Sequence, residues 1–176
     1  MFSDPDKNIR QFSLAQGWRV ADLGAGSGAY TFAAANAVGA DGRVYAVDVS
    51  ADLLSKVSNE ARRLHLKGPV DVVRGDLERR GGSGLRDAHI DAVIAANLFF
   101  QIEHKRELVR EIARILRVGG RVLLVDWSGS FGGIGPHPDH VFPKEEARRL
   151  FEEQGFTAQG SIDAGAHHYG LVFKKN

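Results

Sequence analysis

The sequence predicts an α/β fold: a doubly wound sheet of seven strands, mostly parallel, that ends in an antiparallel hairpin. Three observations carry this expectation. Short aliphatic runs alternate with segments of helical periodicity, most of the runs stop on Gly, Asp, Ser or Asn, and the last two runs lie too close together for a parallel crossover.

The first five runs are Val20–Leu23, Arg43–Val47, Val70–Val73, Ala92–Ala95 and Val122–Val125, each β-branched or aliphatic and a few residues long, as strands are. Between them Ala29–Ala37, Ala51–Leu64 and Lys105–Val118 keep apolar residues at helical spacing, as in Leu108, Ile112, Ile115 and Leu116. Ser50 is placed to cap the second of these helices, and Gly119–Gly120 to close the third. Alternation with short links predicts parallel strands with helices on both faces. The tail differs. Pro143–Gln154 reads as a helix, and the strands Thr157–Ile162 and Tyr169–Lys174 are joined only by Asp163–His168, which forces a hairpin. Ser128–Pro138, rich in Gly and Pro, reads as one long functional loop.

A chain of 176 residues with 43% hydrophobic and 26% charged residues has the make-up of one globular domain spanning 1–176, not of a disordered segment. The net charge of +1 offers no global attraction for polyphosphate or anionic lipid. With no cysteine there are no disulfides, thiolate zinc sites or cysteine nucleophiles, which suits a reducing compartment. The first ten residues carry four charges and a proline in place of an apolar core, and no apolar run approaches the roughly 20 residues of a spanning helix, so a soluble, cytoplasmic protein is expected.

The strongest chemical feature is Val20-Ala21-Asp22-Leu23-Gly24-Ala25-Gly26-Ser27-Gly28, a strand running into a glycine-rich turn at the start of a helix. Glycine lets the backbone approach a ligand closely, and doubly wound sheets bind nucleotides at the carboxyl ends of their strands. Gly24, Gly26 and Ala29 also satisfy the dinucleotide pattern G-x-G-x-x-G/A, so a nicotinamide or flavin ligand stands as the alternative. Asp48 closes the second strand, where a carboxylate accepts the two hydroxyls of a ribose. Asp76 follows the third, where it can accept from an adenine amine while the Leu77 amide donates to the ring. With Asp22, acids stand at the ends of three consecutive strands. Each has a plainer reading as a helix or turn cap.

These motifs resemble class I S-adenosylmethionine-dependent methyltransferases of Rossmann-like fold. The resemblance runs from the glycine-rich motif Val20–Gly28 through Asp48, Gly75–Leu77, the fourth-strand motif Asp91–Phe99 and Leu116-Arg117-Val118-Gly119-Gly120-Arg121, and it covers nearly the whole chain. It is most similar to the small-molecule branch of the ubiquinone/menaquinone-biosynthesis type, whose usual ending is the terminal hairpin. The resemblance implies methyl transfer from S-adenosylmethionine to a small-molecule acceptor. It further implies that Asp22, Gly24, Ala25, Gly26 and Gly28 hold the methionine end, Asp48 the ribose, and Asp76 and Leu77 the adenine, with Val49 a further cofactor contact and Asn97 bordering the methionine portion and the transferred methyl. A cofactor-binding module without catalysis, or an RNA methyltransferase, are the competing readings.

Two features depart from that pattern. Only about 17 residues precede the first strand, so Phe2–Phe12 is expected to cover the cofactor unless a second copy of the chain does. Asn97-Leu98-Phe99-Phe100 is similar to the Asn-Pro-Pro-aromatic motif of amino-methylating nucleic-acid enzymes but lacks both prolines, so base methylation is not inferred; Phe99 reads either as a substrate contact or as core. The arginines at 62, 63, 106, 110, 114 and 117 alternate with glutamates, which suits salt-bridged helix faces better than a phosphate-binding strip.

The acceptor side is drawn from topology. If the sixth strand runs parallel to the fifth, the loop with His137, Asp139 and His140 and the hairpin turn with His167 and His168 both emerge at the carboxyl face. His140 and His167 are then the candidate bases, with His137, His168, Trp127 and Tyr169 as substrate contacts. A His/Asp metal site and a plain surface turn are the alternatives; the site is expected to hold no metal.

Overall fold

The computed structural model describes residues 3–176. In chain order its elements are α1 (Pro5–Phe12), β1 (Arg19–Leu23), α2 (Ala29–Val38), β2 (Arg43–Asp48), α3 (Ala51–Arg63), β3 (Val70–Arg74), β4 (Ile90–Ala96), α4 (Lys105–Ile115), β5 (Leu116–Trp127), α5 (Lys144–Glu153), β6 (Phe156–Ile162) and β7 (His168–Lys175), with short 3₁₀ turns at Phe99–Gln101 and Pro138–His140. The seven strands form one sheet in the order β3-β2-β1-β4-β5-β7-β6. β1 to β5 are parallel, and β7 runs antiparallel to both β5 and β6. β6 therefore points the same way as β5, which meets the condition on which the histidine argument rested.

The order reverses at β1, whose neighbours are β2 and β4, so the carboxyl ends of these strands flank the switch point where doubly wound sheets open a crevice. Residues alternate across the sheet. Leu123 and Val125 of β5 join Ile9, Phe12, Ala34 and Val38 beneath α1 and α2, whereas Val122 and Leu124 join Leu108, Ile112, Phe151 and Phe173 beneath α4 and α5. Ala46 of β2 meets Leu54 and Val57, which places α3 beside α2.

Ser50 caps α3 as expected, its hydroxyl accepting from the Leu53 amide at 3.3 Å. The C-terminus of α4 differs from expectation. The helix stops at Ile115, and β5 starts at Leu116, well before Gly119–Gly120. The α4 carbonyls are satisfied by tertiary partners in place of a glycine cap. The Lys175 ammonium donates to the carbonyls of Ala113 and Leu116 at 2.7 and 2.9 Å, and the amides of Ala88 and His89 donate to those of Arg114 and Ile115. Gly119 and Gly120 instead serve an irregularity in β5, where the pairing shifts from Ile90↔Leu116 to Ala92↔Arg121.

The helix α1 is new to the sequence reading. Asp4 caps it by accepting from the Lys7 amide at 3.1 Å, Pro5 opens it, and Ile9 and Phe12 are buried against α2. Asp-Pro at a helix start was the available signal. Phe2, the first residue of the expected cover, lies outside the described residues.

Candidate functional site

The turn after β1 is built on positive φ, at +71° for Gly24, +53° for Gly26 and +86° for Gly28. A Cβ on Gly24 would stand 2.7 Å from Leu98 Cδ1, and one on Gly28 2.7 Å from Phe32 Cζ. Gly28 is thus a packing glycine at the start of α2, whereas Gly26 faces open space. The loop is fastened to β2 through Asp48. One carboxylate oxygen accepts from the Gly26 amide at 2.9 Å, the other from the Ser50 amide at 2.9 Å. The acid is half-buried and held rigidly, with lone pairs to spare for a ligand.

Two cavities meet along this loop. The larger, of about 590 Å³, is lined by Asp48, Val49, Asp76 and Leu77 together with Leu98 and Ile102. The smaller, of about 350 Å³, is lined by Asp22, Ala25, Tyr30, Ala96 and Asn97, with Ser3 and Pro5 at its rim. Gly24, Gly26 and Gln101 line both, so the two form one trough across the ends of β1 to β4. The larger end offers a ribose-matched acid and apolar walls fit for a base; the smaller offers an acid, Asp22, fit for an ammonium.

Burial sets the electrostatics. Asp22 is 2% exposed, and its carboxyl is pushed up to about 6 chiefly by desolvation, although the Thr31 hydroxyl donates to it at 2.6 Å. Asp76 already has partners: one oxygen accepts from the Glu78 amide at 3.2 Å and the other pairs with Arg79 at 2.8 Å. Its role as a turn cap is therefore real, and a ligand must share it. Asn97 adopts a left-handed φ of +54°, its amide donates to Val125 O at 2.8 Å, and Gln101 Nε2 donates to its carbonyl at 2.8 Å. Its side-chain oxygen is buried without a partner beside the smaller chamber.

The acceptor-side expectations need correction. Phe99 has no exposed surface; it stacks on Phe142 with ring centroids 5.3 Å apart and belongs to the core, out of a substrate's reach. Tyr169 is also core, with its hydroxyl donating to Phe142 O at 2.9 Å. Trp127 does not line the trough; its ring packs against His168 with centroids 4.3 Å apart and lies close to Gly135.

The four histidines do not share a mouth. His137 and His140 are exposed, and His140 lines a separate cleft with Lys105, Phe142 and Glu146 on the α4/α5 face. His168 is buried on the opposite face against Trp127, and His167 packs on Phe131 at 4.4 Å. The pleat is the reason: Tyr169 and His168, adjacent in β7, point to opposite sides of the sheet. Among the described residues lining the trough there is no histidine, and among the described residues no group of three or more His, Cys, Asp or Glu is placed to hold a metal. Residues missed by the sequence reading are Ser3, Tyr30 and Gln101 at the trough, and Asp126 below it. Asp126 is fully buried and accepts from the Trp127 and Phe100 amides, and burial pushes its carboxyl up to about 6. An acid at the end of a fifth strand was a readable signal.

A reversing parallel sheet, a positive-φ glycine loop and a pinned strand-end acid define a nucleoside-binding α/β protein of the Rossmann-like class. The comparisons narrow this. Residues 21–124 match the family model described as a methyltransferase domain, and the chain belongs to that family. It is 32% identical over 120 residues to the ubiquinone/menaquinone biosynthesis C-methyltransferase UbiE of Pseudomonas savastanoi pv. phaseolicola, covering 68% of this chain and 46% of that protein. It is 33% identical over 129 residues to an arsenite methyltransferase of Halobacterium salinarum, covering 73% of this chain and 31% of the relative. The chain thus spans less than half the length of these relatives. In fold it matches the crystal structure of an S-adenosylmethionine-dependent methyltransferase from Aquifex aeolicus, with a TM-score of 0.88, 24% identity, and coverage of 99% of this chain and 91% of that one.

Proposed function

We propose that this protein transfers a methyl group from S-adenosylmethionine to a small organic acceptor. The observation that carries the reading is Asp48, clamped between the Gly26 and Ser50 amides at the junction of a nucleoside-sized and an amino-acid-sized chamber. When bound, the cofactor supplies a sulfonium methyl that a nucleophile takes by in-line displacement. The residues' share of the work is to position it: Asp48 and Val49 take the ribose, Asp76 and Leu77 the adenine, Asp22 and the glycine loop the amino-acid end, and Asn97 borders the methyl. Without a histidine at the trough, positioning supports the reading better than general-base catalysis by His140 or His167.

The acceptor class follows from chemistry. A soft metalloid acceptor such as that named for the arsenite relative is best held by thiolates, and this chain has none. The carbon acceptor implied by the name of the C-methyltransferase relative makes no such demand. Nucleic acid is disfavoured because the arginine-rich helix faces are spent internally, in pairs such as Arg63–Glu60, Arg106–Glu153 and Arg148–Glu152. No helix among the described residues is long and apolar enough to cross a membrane, and we place the reaction in the cytoplasm on composition alone.

Calorimetry tests the reading. S-adenosylhomocysteine is expected to bind and NADH not to; the reverse result would make this a reductase-like protein. Asp48→Ala is expected to weaken S-adenosylhomocysteine by about 1 to 3 kcal/mol, the scale of hydrogen bonds to a charged acceptor. Incubation with labelled cofactor and a small-molecule extract separates an enzyme from a binding module, since the module binds cofactor and labels nothing.

A pH dependence follows from Asp22. Its folded pKa near 6 lies above the ordinary 3.8. Below about pH 6 the group is protonated and must lose its proton to pair with the ligand's ammonium. Affinity is therefore expected to fall as pH drops from 7 to 5, with proton release on binding visible as a buffer-dependent heat. Without ligand the sign reverses: the unfolded chain gives up this proton first, so Asp22 lowers stability as pH rises from about 4 to 6. Affinity that stays flat from pH 5 to 7.5 would remove Asp22 from the ammonium site.

A further inference from the structure

The sheet has two edges, and they are not alike. β6 carries an irregularity where its pairing with β7 shifts between Ala158 and Gly160, whereas β3 pairs with β2 in unbroken register from Val70 to Arg74. Bulges blunt an edge against further pairing, and β3 has none. Its phase is fixed at both ends: Pro69 O accepts from the Val44 amide, and the Gly75 amide donates to Asp48 O. A parallel ladder uses alternate residues, so Asp71 and Val73 face β2 as well, and Val70, Val72 and Arg74 turn their N–H and C=O groups to the open edge. No other group among the described residues bonds to them.

Beside this edge runs a groove of about 470 Å³ between β3 and α3. Leu54 and Val72, the latter 38% exposed, give it an apolar floor, Ser55 and Ser58 flank it, and none of its lining residues is acidic. Its charges are Arg62 and Arg74. Neither pairs with a carboxylate: Arg62 donates to Ser58 Oγ at 2.9 Å, and Arg74 Nε to Val49 O at 3.2 Å. α3 returns antiparallel to the strands, so Arg74 stands at one end of the groove, beside the start of α3, and Arg62, in the helix's last turn, at the other. With its guanidinium turned to Val49, Arg74 leaves the edge uncovered.

We propose that the β3 edge docks an extended acidic segment of a partner protein, which adds a strand to the sheet and sets carboxylates on Arg62 and Arg74. An added strand points alternate side chains into the groove. The arrangement fixes a pattern: an acid at position i, an apolar residue at i+2 over Val72 and an acid at i+4, a span of about 13 Å at roughly 3.3 Å per residue. Charge selects the partner. A second copy pairing β3 on β3 antiparallel would set Arg74 of one chain near Arg62 of the other, and β6, the other free edge, has no acid between Phe156 and Ile162. The open N–H and C=O groups need a peptide backbone to meet them, which nucleic acid lacks, while the arginines take carboxylates two-pronged.

The test uses the full chain and a labelled peptide, acetyl-Thr-Glu-Thr-Val-Thr-Glu-Thr-amide, with a control in which both Glu are Lys. Fluorescence anisotropy is expected to give a Kd of about 10 to 100 μM for the acidic peptide, no binding of the control, and about ten-fold weaker binding of the acidic peptide by Arg62→Ala/Arg74→Ala. Both arginines are exposed, and a thermal melt checks that the variant folds. In NMR spectra of the wild type, the amides of Val70, Val72 and Arg74 are expected to gain protection from exchange when the peptide binds, and those of Asp71 and Val73 to keep what they have. No binding up to about 1 mM peptide, equal binding of the control, or the same gain at Asp71 and Val73 as at Val72 overturns the proposal. Polyuridylate that displaces the peptide and binds more tightly also overturns it, and makes the groove a phosphate site.

Discussion

Replacing Glu111 by Ala is expected to cost about 3 to 5 kcal/mol of folding stability and to loosen the adenine end of the trough as well. Glu111 lies on α4 with its side chain wholly buried. Its carboxylate accepts from the Gly81 and Ser83 amides at 2.8 and 3.1 Å, from the Ser83 hydroxyl at 2.6 Å and from two Arg114 nitrogens at 2.9 and 2.6 Å. Removing it leaves the two amides and the Ser83 hydroxyl without their acceptor, and a largely buried guanidinium that keeps Asp87 and the Leu85 carbonyl but loses its buried counter-charge. The loop it holds is the one that presents Asp76 and Leu77, folded tightly enough that a Cβ on Gly82 would stand 1.8 Å from Asp76 O. Burial alone would raise the Glu111 pKa, but Arg114, Ser83 and the two amides overcome it and hold the carboxyl down to about 2. With the unfolded group near 4.5, this stability is present above pH 4.5 and is lost as pH falls toward 2. Urea unfolding of the Ala and Gln variants measures the effect. A loss below about 1 kcal/mol for the alanine variant would place the pair in the class of solvated surface bridges.

Phe99→Ala is expected to cost a similar amount, about 3 to 5 kcal/mol, because the ring is fully buried between Phe142 and Phe151 and its removal opens a cavity. The consequence for function is indirect. Phe99 begins the 3₁₀ turn that ends at Gln101, which lines both chambers, and Phe142 receives the Tyr169 hydroxyl. Unfolding midpoints and acceptor kinetics distinguish the two readings of this residue. Unchanged stability with a raised KM for the acceptor would restore Phe99 as a substrate contact.

The trough at the strand ends was legible in the sequence. A glycine run needing positive φ, an acid closing each of three successive strands and a link too short for a crossover are local properties, written in consecutive residues. Topology then brings strand ends together by rule, so Asp22, Asp48 and Asp76 were bound to border one crevice. The packing of α1 on α2 was less visible. Asp4-Pro5 announced a helix start, but nothing local says that Asn8 and Ser3 would meet Tyr30, 22 and 27 residues away.

The acceptor side shows the limit from the other direction. His140 and His167 were drawn together by strand direction, which proved right, yet strand direction does not say which face a side chain takes. That is decided by pairing register: Asp126↔Tyr169 points toward α4 and α5, and Trp127↔His168 toward α1 and α2. The end of α4 follows the same logic, since Gly119–Gly120 looked like a cap until Lys175, at the far end of the chain, supplied the donors. By itself the sequence determined the strand and helix periods, the glycine turn and the acids at strand ends, because each depends on neighbours along the chain. Only the tertiary structure decided which face each residue occupies and which distant donor meets which acceptor, because those depend on register and on contacts between elements far apart in sequence.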